Sequence, residues 1–253
     1  VNYLFKNVET MKKKTMIWRS VFAVVLASAF LSSCIEDPEP AALNAKADVF
    51  VQKVWENGET KYAPAFIVVA NKQVDSVNVE GPGGEGWSLG KDGSSSTVFV
   101  LFPETEDYTD SLPETGDYDF VITSTQTNEA PLQVTDELDE DTLGAVVIDT
   151  IGFENGKLMV EWETLEDADA YFVRLYDDSG KLIFVGNQVD DEETEFSFGP
   201  GDQGWIDSSS KAEDGDTCKL EMIAILYESG STTNKDYNVQ FISITPTEVV
   251  WGD

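Results

Sequence analysis

Histidine is absent from this chain, cysteine occurs twice, and basic residues number 16 against 48 acidic ones. Without histidine there is no Ser-His-Asp or Cys-His catalysis, no His-ligated zinc and no side chain that titrates near neutrality unaided. The shortage of Lys and Arg excludes nucleic acid as a partner, because phosphate binding is driven by cations that release counterions. Sustained helical periodicity is also lacking. The apolar run Val21 to Phe30 is ten residues long, about half the roughly 20 needed for a permanent membrane helix. Hydrophobic residues nevertheless make up 41% and aromatics 11%, enough for packed cores despite the charge.

What is present begins with an ordered export pattern. Lys12, Lys13, Lys14 and Arg19 precede the apolar run, and Leu31-Ser32-Ser33-Cys34 follows it. Basic, apolar, small, then cleavage is the order of a signal peptide, here residues 1–33. Val1 to Thr10 lie ahead of Met11 and read as an extension from an upstream start assignment. The Leu-Ser-Ser-Cys run resembles the lipobox of bacterial lipoproteins. That resemblance implies that Cys34 becomes the acylated first residue, palmitate being one of its chains, and that the protein is held by lipid.

The charge supports this mode of attachment. Five basic residues and one acidic residue precede Cys34, so 11 basic and 47 acidic residues remain, a formal charge of −36. Anionic lipid would repel such a body, whereas each buried acyl methylene contributes roughly 0.8 kcal/mol. Ile35-Glu36-Asp37-Pro38-Glu39-Pro40 follows as part of a tether over residues 34–45. It resembles the acidic export signal of Bacteroidota surface lipoproteins, which implies an outer-membrane location facing outward. With Cys34 acylated, Cys218 has no partner for a disulfide, and it reads as a small buried hydrophobe in a strand.

From Ala45 onward, short runs rich in β-branched and aromatic residues alternate with Gly, Pro, Asp, Asn and Ser clusters, the pattern of an all-β chain built of two tandem β-sandwich domains. The first, over 46–140, is immunoglobulin-like in general pattern; the second spans 141–253. In the first, Val49, Val51 and Lys53 share one strand face while Phe50, Gln52 and Val54 share the other. Gly81 to Gly86 reads as a mobile loop and Glu104 to Gly116 as an acidic one. The acidic run Asp136 to Asp141 reads as the junction between domains. Its carboxylates Asp139, Glu140 and Asp141 are the candidate calcium ligands, although no Asp-x-Asp-x-Asp-Gly spacing accompanies them, and the default expectation is no cofactor.

The second half is more legible. Leu158, Val160 and Trp162 alternate on one strand, Tyr171, Val173 and Leu175 on the next, and Leu220, Met222 and Ala224 on a long penultimate one. Asp177-Asp178-Ser179-Gly180 reads as a hairpin turn. On these residues the stretch 144–245 resembles a fibronectin type III domain. That family has a tyrosine opening the penultimate strand, whose hydroxyl ties down the adjoining corner; Cys218 stands in the matching place here.

Two loop tryptophans, Trp87 after the glycine run and Trp205 in Gly199-Pro200-Gly201-Asp202-Gln203-Gly204-Trp205, are the candidate ligand contacts, able to stack on a sugar or anchor a protein. The competing reading is that each plugs its own sandwich. Trp55 and Trp162 lie on strands and are assigned to core. No catalytic motif accompanies the abundant acids, so the expected role is a non-enzymatic outer-membrane lipoprotein. It binds polysaccharide or neighbouring surface proteins, or acts as a spacer in a surface complex. The alternatives are a subunit of an adhesive or fimbrial assembly that accepts a donor strand, and a carboxylate-based glycoside hydrolase accessory. Mass spectrometry of the native product is expected to find Cys34 acylated, and Cys34→Ser is expected to move the protein from the membrane to the soluble fraction; a free thiol at residue 34 contradicts the lipid anchor.

Overall fold

The structure, a computed structural model, describes residues 41–56, 58–207, 209, 211–229 and 238–252. The segment read as a signal peptide, Cys34 and most of the expected tether lie outside the described residues. The described chain is all β, with one short 3₁₀ turn at Thr105–Asp107. The first half contributes β1 (Ala45–Glu56), β2 (Glu59–Ala70), β3 (Val74–Glu80), β4 (Gly86–Lys91), β5 (Val98–Leu101), β6 (Gly116–Ser124) and β7 (Leu132–Leu138). The second contributes β8 (Ile148–Glu154), β9 (Lys157–Trp162), β10 (Ala170–Tyr176), β11 (Leu182–Val185), β12 (Val189–Asp190), β13 (Glu195–Phe198), β14 (Thr217–Tyr227) and β15 (Val239–Val250).

In the second half the sheet β13-β9-β8 packs on β11-β10-β14-β15, a three-on-four sandwich of fibronectin type III-like order. Leu158, Val160, Trp162, Tyr171, Val173, Leu175, Leu220, Met222 and Ala224 all enter its buried core, as their alternation predicts. Cys218 is buried there too. The first half repeats the order, with β1-β2-β5 on one side and β3-β6-β7 on the other. β4 crosses between them, pairing with β3 through Gly86 to Leu89 and with β5 through Gly90 and Lys91. The tyrosine tie that Cys218 cannot make is present here: Tyr118, near the start of β6, donates its hydroxyl to the Glu114 carbonyl at 2.8 Å. In the second half the corner before β14 is tied instead to the chain's end, by Gly215 N–H to Trp251 O (2.7 Å) and Trp251 N–H to Asp216 O (2.8 Å).

The sandwiches are joined more closely than a tandem pattern implies. β1 pairs with β2 on one edge and, over Val51 to Val54, runs parallel to Phe241 to Ile244 of β15 on the other. One sheet therefore runs through both halves in the order β11-β10-β14-β15-β1-β2-β5 and continues through β4 into β3-β6-β7. The segment connecting the halves lies across this seam, not in solvent. Lys53 Nζ donates to Leu143 O (2.8 Å) and Ser243 Oγ donates to Gly144 O (2.6 Å). Gln240 donates to the carbonyls of Asp139 and Asp141 and accepts from Asp139 N–H. Gln240 can reach because it is the extra residue of a bulge, Tyr227 facing Val239 and Leu226 facing Phe241. Leu143 and Val146 are buried beside these bonds.

Several local expectations are corrected. Trp55, assigned to core from its place on a strand, is 40% exposed, because β1 and β2 run on as a two-stranded hairpin beyond the sandwich, pairing as far as Glu56 with Glu59. The glycine run at 81–86 is an ordered turn, closed by Gly81 N–H to Glu85 O at 2.8 Å, which leads directly into β4. The acidic stretch after Phe102 contains the 3₁₀ turn, and Thr109 bonds back to Tyr62. Asp136 to Leu138 belong to β7, so the junction begins only after them.

The buried Lys53 is the most demanding member of the seam, since desolvation lowers its pKa and its ammonium depends on the Leu143 carbonyl. Lys53→Ala is expected to cost about 2–4 kcal/mol while keeping a single unfolding transition, against less than about 0.5 kcal/mol for the exposed Trp55→Ala. Chemical denaturation of both variants checks this; equal effects would contradict the clamp.

Candidate ligand cavity on the shared sheet

The shared sheet is apolar on both faces. One face looks into the two sandwiches; the other carries Phe50, Ala65, Ile67, Phe172, Ile223, Ile225, Ile242 and Ile244 as a second buried cluster. At one end of that outer face the residue type changes while the alternation continues. Ala170-x-Phe172 is followed by Arg174-x-Tyr176, and Ile223 is preceded by Lys219-x-Glu221. Ladder register sets Arg174 directly opposite Glu221 and Tyr176 opposite Lys219.

These four side chains form a compact polar group. Arg174 Nη2 and Nε reach Glu221 Oε2 at 2.7 and 3.0 Å, and Lys219 Nζ reaches Glu221 Oε1 at 2.9 Å. The Lys219 ammonium also sits 4.6 Å from the centroid of the Tyr176 ring. From the first half, Gln52 arrives on β1 and accepts a hydrogen bond from Tyr108 Oη (3.0 Å). Burial first, and the Glu221 charge next, push the Tyr108 phenol up to about 12; Tyr176 is likewise raised to about 12, chiefly by burial. Both phenols keep their protons across the physiological range.

Around the group is a cavity of about 690 Å³, within the range of small-ligand sites. Its floor comes from β1, β15, β14 and β10, so it exists only because β15 lies against β1. Phe102, Pro103 and the 3₁₀ turn form one wall.

Neither tryptophan singled out from the sequence lines this cavity. Trp87 stands on β4, half-buried, its ring 5.0 Å from Phe66 and 6.0 Å from Tyr118; its remaining edge borders a recess of about 110 Å³. Trp205 donates Nε1–H to Gly199 O (3.1 Å) and packs 5.3 Å from Phe184 and 5.4 Å from Trp251. Gly204, at φ +116°, lets the backbone pass close to Val185 and so turns Trp205 inward. The two rings sit in different sandwiches. Arg174, by contrast, carried a signal in its composition: from Cys34 onward it is the chain's sole arginine, on an otherwise apolar strand.

Acidic groups meet at a second place along the seam. Asp48 of β1, Asp136 of β7 and Glu228 after β14 bring carboxylate oxygens within 4.8 Å of one another. Val49 N–H donates to Asp136, Val239 N–H is shared between both oxygens of Asp48, and Asn238 donates to Glu228. Asp139, Glu140 and Asp141 are exposed and stand outside this trio. Three carboxylates supply part of the six to eight oxygens that calcium takes. Alone, they are forced to retain protons: Asp48 is wholly buried and raised well above the usual carboxylate range by desolvation and then by Asp136 and Glu228. Burial raises Asp136 to about 7, and raises Glu228.

No family model matches the chain, and no curated protein matches it. Among solved structures, a two-domain fibronectin type III segment of chicken tenascin aligns at 12% identity, covering 82% of this chain and 99% of its own, with a TM-score of 0.29. The BSP domain of a biofilm-associated protein aligns at 11% identity over 84% of this chain and 29% of its own, TM-score 0.24. A β-1,2-glucanase from Parabacteroides distasonis aligns at 11% identity over 82% of this chain and 37% of its own, TM-score 0.29. At these scores none carries an argument about what this chain does.

The carboxylate trio makes a pH-dependent contribution with a definite sign. The folded chain holds protons on Asp136 up to about pH 7, whereas the unfolded chain releases them near pH 4. This contribution is fully present below about pH 4 and is lost as pH rises toward 7. Asp136→Asn is therefore expected to raise the melting temperature at pH 8 by the order of 5 °C and to change it little near pH 4. Thermal unfolding across that range measures it; an equal shift at both pH values would contradict the assignment.

Proposed function

We propose that the mature chain is a lipid-anchored, outward-facing outer-membrane protein that binds a glycan or a protein segment without transforming it, and that the cavity on the shared sheet is its ligand site. The observation that carries this reading is the cavity itself: a recess of about 690 Å³ floored by fixed polar and aromatic side chains from both halves. Its one deeply set carboxylate, Glu221, has both oxygens engaged by Arg174 and Lys219, which supports recognition over proton transfer. Cys218 supports the same view, since burial pushes its thiol up to about 11, far from a working thiolate. The lipobox and the acidic tether support the location.

The β1 edge of the first sandwich is not where a donor strand would add, since Val51 to Val54 are already paired with β15 of the same chain. Screening the purified mature protein against polysaccharides and surface proteins, then repeating with Tyr176→Ala, tests the site. The variant is expected to weaken a confirmed ligand at least about tenfold while Trp87→Ala leaves it unchanged. The reverse pattern would move the site to the tryptophan. Surface exposure is checked by labelling intact cells with an impermeant reagent, where labelling only after lysis would overturn it.

A further inference from the structure

We infer that the cavity on the shared sheet selects an oligosaccharide that carries a single carboxylate among otherwise neutral sugar units; this rests on the proposal that the cavity is the ligand site. Three features set the chemistry. The first is the nature of the floor. Beneath the middle of the cavity the main chain is tied into ladders, Val51–Val54 of β1 to Phe241–Ile244 of β15, β15 to β14, and β14 to β10. A peptide ligand is read largely through main-chain hydrogen bonds at a free strand edge, and over Val51–Val54 and Phe241–Ile244 the floor offers none. What it offers are side-chain donors, acceptors and rings, the means by which hydroxyl-rich ligands are recognised.

The second feature is the charge at depth. Two cations, Arg174 and Lys219, share the one carboxylate of Glu221, leaving an excess of positive charge at the floor. Arg174 and Glu221 are well shielded there, whereas Lys219 is about half exposed, so salt weakens the attraction at Lys219. In a chain with 16 basic and 48 acidic residues, an excess of this sign is a local exception. A ligand carboxylate seated against Lys219 balances it with a charge-assisted hydrogen bond.

The third feature is the rim, which has the opposite sign. Glu59, Glu104 and Glu106 border the opening against Lys61 alone. A polymer acidic at every unit would set its outer carboxylates against these glutamates. A chain with one acid and neutral neighbours avoids that repulsion while still reaching the floor. The cavity thus discriminates in two directions, for one carboxylate and against a run of them.

Calorimetric titration of the purified mature protein with three probes tests this: xylotriose bearing one glucuronate, plain xylotriose, and trigalacturonate. The singly acidic probe is expected to bind at least about tenfold tighter than either of the others, and to weaken several-fold between about 0.05 and 0.5 M salt. Lys219→Met is expected to abolish that preference, and Lys219→Arg to keep it; Lys219 is about half exposed, so both variants are expected to melt like the parent. Equal affinity for the singly acidic and plain probes, with Tyr176→Ala weakening both, overturns the inference and leaves the cavity as the ligand site. Tightest binding of trigalacturonate overturns the role of the rim. If no sugar binds but an acidic peptide does, and Lys219→Met weakens it, the ligand class is wrong. Binding that is indifferent to every cavity variant overturns the underlying site as well.

Discussion

The parallel pairing of β1 with β15 is the contact on which the rest of the molecule depends. It joins residues about 190 positions apart and merges strands of both sandwiches into one continuous sheet, with β13-β9-β8 as the second. Parallel pairs need long connections and burial on both faces. The chain provides both, since nearly the whole sequence forms the connection and each face of the seam carries apolar side chains. Phe50 and Ile242 lie on one face, with Val51 and Phe241 on the other. The connecting segment is then fixed over the inner face by Lys53, Ser243 and the bulged Gln240. A loop in that position would bury unpaired carbonyls unless side chains answered them, and these three do so.

Two consequences of the seam are chemical. At one end, three carboxylates are brought together and buried, which raises the pKa of Asp48, Asp136 and Glu228 above the usual carboxylate range. At the other end, the floor of the cavity is laid down by strands from both halves. The same long-range contact thus fixes a pH-sensitive joint and a recess for a ligand, and neither exists within one sandwich alone.

Strand periodicity made much of the fold legible. The alternation of Leu158, Val160 and Trp162, and of Tyr171, Val173 and Leu175, gave the inner faces of β9 and β10 directly, because a period of two has a single solution when one face is buried. Trp55 was misplaced because its strand continues past the core, which alternation cannot reveal. The seam was invisible for a different reason: pairing between the first and last strands leaves no local mark, and its side chains, Lys53 and Gln240, look like ordinary surface residues. The cavity lay between these extremes. Arg174-x-Tyr176 and Lys219-x-Glu221 interrupt apolar faces in plain view, but only the register of β10 on β14 makes them one group. Prominent loop aromatics such as Trp87 and Trp205 drew attention first and proved to be packed against Phe66 and Trp251.

The most direct test of this account is native-state hydrogen exchange at the seam. If the two halves share one sheet, the amides of Val51 to Val54 and Phe241 to Ile244 that point across the β1–β15 interface exchange only with global unfolding, as slowly as the central amides of β10 and β14. Rapid local exchange of those amides, with β10 and β14 still protected, would show that the halves are merely tethered and would remove the floor of the cavity.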